Sequence, residues 1–90
     1  MSVNITIPGF LKRATNGIKT VEVHGNTVGD CLKKLVELFP LIGNELLDKQ
    51  GELFPHVDIH VNEHSTHTEG SAKPVKDGDE VYILFILGGG

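Results

Sequence analysis

The sequence predicts an α+β fold, a mixed four- to five-stranded sheet with one main helix on one face. Three observations predict it. Apolar residues alternate with polar ones at Val3, Ile5 and Ile7 and again at Val21 and Val23, the period of half-buried strands. Val28, Leu32, Leu35 and Phe39 form one helical stripe. Val81 to Leu87 is an apolar run without a polar face, too short for a typical helix and rich in β-branched and aromatic residues.

The elements follow in order. The first strand ends at Pro8-Gly9, and Thr15-Asn16-Gly17 is a turn signal because Asn-Gly accepts positive φ. A second strand, Lys19 to His24, completes a hairpin with a long, partly irregular connection. Gly25-Asn26 turns the chain, Thr27 is a good N-cap, and Asp30 suits the positive end of the helix dipole. Pro40 stops the helix. Leu41 to Lys49 predicts a second, short helix, and Leu53 to Asn62 a strand carrying Val57, Ile59 and Val61 on one side. Glu63 to Ser71 is polar and reads as an exposed loop, and Lys76-Asp77-Gly78-Asp79 as a tight turn. The last strand fits beside the first, in parallel, through the helix-containing crossover. That arrangement is the β-grasp, or ubiquitin-like, roll.

Length and composition narrow the function. Ninety residues make one domain, 1–90, expected to end in a flexible glycine tail at 88–90. Hydrophobic residues are 39% and charged residues 22%, a globular balance. No apolar run approaches the roughly 20 residues that span a bilayer, and Met1 to Phe10 lacks the pattern of a signal peptide, so the cytoplasm is the expected location. The net charge of −4 argues against nucleic acid as partner and leaves open a basic protein surface. One cysteine excludes an internal disulfide and a four-cysteine metal site. No phosphate-cradling glycine loop is present.

The feature with chemical potential is the end of the chain. A strand running into Gly88-Gly89-Gly90 gives a tail without side chains, slim enough to enter a narrow tunnel and present its carboxylate there. Terminal glycines also occur as frayed ends without function. Here the whole chain resembles the ThiS/MoaD family of ubiquitin-like sulfur carriers. The stretches that carry the resemblance are Val21-Glu-Val-His-Gly25, Thr27-Val28-Gly29-Asp30, Leu38-Phe39-Pro40, Glu45-Leu-Leu-Asp48, Gly51-Glu-Leu-Phe-Pro55, Val61-Asn62-Glu63, Pro74 with Lys76-Asp77-Gly78-Asp79-Glu80-Val81, and the glycine terminus.

The resemblance implies a carrier rather than an enzyme. A partner similar to ubiquitin-activating enzymes, using ATP and Mg, would adenylate the Gly90 carboxylate, and sulfur would then replace the adenylate to give a thiocarboxylate. Gly89 and Gly88 would be its slim neighbours. A sulfur-accepting biosynthetic enzyme would be the second partner. No cofactor, metal, nucleic acid or membrane is implied for the chain itself. Pro8-Gly-Phe-Leu-Lys-Arg-Ala-Thr-Asn-Gly17 resembles the branch serving cysteine or homocysteine synthesis rather than molybdopterin or thiamin. The chain departs from the family in having three terminal glycines and Phe85-Ile86-Leu87 where prolines are usual, which predicts a less stiff root for the tail. Two other readings compete: a modifier that acylates lysines of other proteins through Gly90, and a non-covalent or metal-binding domain.

The remaining candidates are weighed against plain packing. Val81, Ile83 and Phe85 read as core. Tyr82, Leu84 and Ile86 face the other way, onto a sheet face without obvious cover, and with Leu87 they form a candidate docking patch. Phe54 and Ile59 either extend that patch or belong to the core. His24, His56, His60, His64 and His67 read as surface histidines. His56 and His60, i and i+4 on a strand, lie roughly 13 Å apart, too far to share one ion. Cys31 reads as a small buried residue rather than a reactive thiol.

Overall fold

The computed structural model describes residues 1–66 and 68–86. Five strands form one sheet: β1 (Ser2–Thr6), β2 (Thr20–His24), β3 (Val57–Val61), β4 (His64–Ser65) and β5 (Glu80–Phe85), in the order β2-β1-β5-β3-β4. Two helices, α1 (Val28–Leu38) and α2 (Pro40–Leu46), cross between β2 and β3. This is the β-grasp roll.

The central strand is placed as its sequence predicts. β5 lies parallel to β1, with Ile5 opposite Val81, and antiparallel to β3, with Ile59 opposite Ile83. Directly paired residues share a face, so the register puts Ile5, Val81, Ile59 and Ile83 together, all at most 3% exposed. Val28, Leu32 and Leu35 of α1 and Ile42 and Leu46 of α2 complete the same core.

Local chemistry sets the helix boundaries. The Asp30 N–H donates to Thr27 Oγ1 at 3.1 Å, the expected N-cap. The Asp30 carboxylate accepts from the Asn26 N–H at 3.1 Å, so its reach back ends one residue before the cap. Pro40 separates two helices, since it cannot continue α1 but can open α2 at its first position. The two helices meet closely at Gly43, where a Cβ would lie 3.0 Å from Val36 Cγ1.

Three segments differ from the sequence reading. The connection after β1 is ordered as a 3-10 helix, Gly9–Thr15, because Leu11 and Thr15 turn inward and Thr15 Oγ1 donates to the Ile18 carbonyl at 2.8 Å. The strand predicted over 53–62 is shorter, since Phe54 to His56 form the bend into β3. The polar stretch 63–71 contains β4, which pairs back onto β3 through Asn62-Glu63. Asn62 holds φ 57° there, and its side chain accepts from the Glu80 N–H at 3.1 Å. A two-residue strand is too short to leave an alternating pattern, so periodicity could not find it.

Candidate functional site

The site is built on β5 because every other feature is placed by it. Val81 and Ile83 point into the core, and Tyr82, Leu84 and the following Ile86 point out, 37%, 41% and 53% exposed. Both helices lie on the core side, so among the described residues neither covers the outward face that carries these apolar side chains. Register places polar neighbours on both sides of them. Tyr82 lies between Thr6 of β1 and His60 of β3, and Leu84 is opposite Asp58.

Asp58 organises the β3 side of that face. Its carboxylate accepts from Ser65 Oγ at 2.8 Å and stands 3.2 Å from His60 Nε2. Glu22 on β2 and Glu80 on β5 belong to the same face, and none of the outward-facing strand positions is a lysine or arginine. The outward face is therefore an apolar strip with acidic flanks.

At the end of β5 the arrangement changes from strip to cluster. Phe85 meets Phe10 edge-on, ring centres 4.8 Å apart, and meets His56 at 5.2 Å. His56 in turn stacks on Phe54 at 5.3 Å and 15°. The Ile86 N–H donates to the His56 carbonyl at 2.7 Å, which carries the β3–β5 pairing past the last named strand residue. Gly88, Gly89 and Gly90, with Leu87, lie outside the described residues.

Other expected residues sort as follows. Ile59 leaves the docking patch, because it is opposite Ile83 and therefore points into the core, fully buried. Phe54 packs against the core while stacking on His56, so it supports the cluster rather than the outward strip. Cys31 is fully buried; burial, with the nearby Asp30 charge, pushes its thiol pKa up, which works against thiolate chemistry. His67 lies outside the described residues, and among the described residues no three His, Cys, Asp or Glu side chains converge on a metal position. No helix among them is long and apolar enough to cross a membrane.

Sequence reasoning missed the contact of Phe10 with Phe85. Phe10 is distant along the chain and sits in a segment whose periodicity is that of neither helix nor strand. The one signal was a lone aromatic residue flanked by Gly9 and Leu11.

A mixed sheet in the order β2-β1-β5-β3-β4, with both helices packed on one face, defines the ubiquitin-like class of protein fold. The ThiS family pattern matches residues 5–90, and the chain belongs to that family of sulfur carriers. It is 34% identical over 93 residues to the sulfur carrier protein CysO of Mycobacterium tuberculosis, covering all of both chains. A chain in the crystal structure of the Amycolatopsis orientalis BexX/CysO complex superposes with a TM-score of 0.87 at 30% identity, covering 98% of this chain and 99% of that one. The small archaeal modifier protein 1 of Methanosarcina acetivorans superposes with a TM-score of 0.85 at 27% identity, covering 99% and 96%.

Proposed function

We propose that the chain carries sulfur as a thiocarboxylate on Gly90 and delivers it in cysteine or homocysteine synthesis. The observation that supports this most is the match to sulfur-carrier relatives over the whole length, which runs through the terminal glycines. A carboxylate is a poor electrophile until one oxygen becomes a good leaving group. The Gly90 carboxylate oxygen attacks the α-phosphorus of ATP, and pyrophosphate leaves. A sulfur nucleophile then attacks the acyl carbon, and AMP leaves. ATP and Mg sit on an adenylyltransferase of the ubiquitin-activating type, and this chain is its co-substrate, working in the cytoplasm. Gly89 and Gly88 keep the approach free of side chains.

Tyr82, Leu84, Ile86 and Leu87 form the docking strip in this reading. Its acidic flanks favour a partner whose apolar surface is rimmed by lysine or arginine. Intact mass spectrometry after incubation with the adenylyltransferase, ATP and a sulfur source tests the function. The expected product is heavier by one exchange of oxygen for sulfur, and deletion of Gly90 abolishes it. Unchanged mass in the native chain, or transfer that survives the deletion, refutes the proposal.

The likeness to an archaeal modifier protein favours one second reading, in which activated Gly90 acylates lysines of other proteins. Digested cell protein bearing the chain's C-terminal remnant on lysine would select it.

A further inference from the structure

We infer that Phe10 and His56 are positioning residues for activation: they grip Phe85 from two sides and so fix the point from which the reactive end of the chain departs. The inference rests on the carrier reading above and adds a structural device to it. Four residues, 87–90, follow Ile86. Fully extended they reach at most about 14 Å. Anchoring Ile86 fixes the centre of the volume that those residues can search, and a loose Ile86 enlarges that volume. Productive adenylation needs the carboxylate within near-attack distance of a phosphorus held by another protein, where errors of an ångström matter. A fixed Ile86 therefore leaves the carboxylate fewer positions to search before it reaches that distance.

Among the described residues, the aromatic ring contacts to β5 fall at that point. Phe10 and His56 both contact the Phe85 ring, at 4.8 and 5.2 Å and with interplanar angles of 83° and 63°. Both geometries are edge-to-face, the favoured arrangement of two rings. Each gripping residue is itself held. Leu11, beside Phe10, is buried, and its N–H donates to the Pro8 carbonyl at 2.9 Å. His56 is stacked on Phe54, and its carbonyl receives the Ile86 N–H. The grip thus ties the end of β5 to the 3-10 segment on one side and to the bend before β3 on the other.

The cost of the arrangement argues against mere packing. Phe10 remains 63% exposed. A ring placed only to be buried would have its place in the core, where Leu11 is. Among the described residues, the close aromatic contact of Phe10 is to the last residue of β5.

An edge-on ring pair shifts an equilibrium by about 2- to 10-fold. Removing Phe10 is expected to lower kcat for adenylation, read as pyrophosphate release with a purified adenylyltransferase and ATP, about 3- to 10-fold. KM for the carrier should stay within about 2-fold, since the outward strip is untouched. Hydrogen exchange of the Ile86 amide should accelerate by a similar factor in Phe10→Ala, and further in Phe10→Ala/His56→Ala, while the Ile5 amide keeps its native rate. Phe10→Tyr should restore both readouts. Native exchange at Ile86 in the double variant overturns the inference, as does faster exchange with native kcat, or a loss seen only in KM. If the native chain itself releases no pyrophosphate, the carrier reading fails; if it does and the variants match it, the positioning role fails alone.

Discussion

The two faces of β5 use the same residue types for opposite ends. On the inner face, Val81 and Ile83 are 0% and 3% exposed and pack against Ile5 and Ile59. On the outer face, Tyr82, Leu84 and Ile86 are 37–53% exposed, with no element over them among the described residues. Burial of a large aliphatic side chain contributes about 1.5–3 kcal/mol, and the inner face realises that within the domain. The outer face leaves it unrealised among the described residues, and in the proposed function a partner protein would supply the cover. A strand that looks uniformly apolar in sequence is thus divided by the pleat into a half that folds the chain and a half left exposed.

Substitutions on the two faces should separate these roles. The largest effect is expected inside. Ile59→Ala or Ile83→Ala should lower unfolding free energy by about 2–5 kcal/mol, measured by urea denaturation. Activation by the adenylyltransferase should suffer only as far as the folded fraction does. A loss of under about 1 kcal/mol would mean that the inner face is looser than its burial implies. Outside, Leu84→Ala should leave stability within about 1 kcal/mol and raise KM for the adenylyltransferase about 10-fold, the size expected for an apolar anchor at an interface. Unchanged KM would remove the outer face from the docking role. The smallest effect concerns pH. Burial raises the Cys31 thiol pKa in the folded chain. As pH rises, the unfolded chain loses that proton first, so it binds fewer protons than the folded state and stability falls. The fall begins as pH passes about 8.5, the ordinary thiol value. Cys31→Ala should lack this part of the slope, as pH-dependent denaturation would reveal.

The contrast extends to the chain's ends of β5. At Glu80 the strand is set by backbone and Asn62, whose turn conformation aligns β3 with β5. At Phe85 it is set by rings from two distant segments. The sequence predicts a less stiff root there, because Phe85-Ile86-Leu87 lacks proline. The ring contacts and the Ile86–His56 hydrogen bond offset that loss up to residue 86.

Much of this was legible in the residues alone. Period-two alternation placed β1, β2 and β3, the Thr27 cap and the apolar stripe placed α1, and the unbroken apolar run placed β5 at the centre of the sheet. These signals are local: each depends on residues within a few positions of one another. The candidate terminus was legible for the same reason, being a contiguous run of glycine. What the tertiary structure decided is everything that depends on which distant residues meet. The strand pairing sent Ile59 inward by setting it opposite Ile83, although its sequence position allowed either face. Folding paired β4 with β3 although two residues carry no period. The same closure brought Phe10 and His56 onto Phe85, a contact between side chains from three segments that no spacing along the chain encodes.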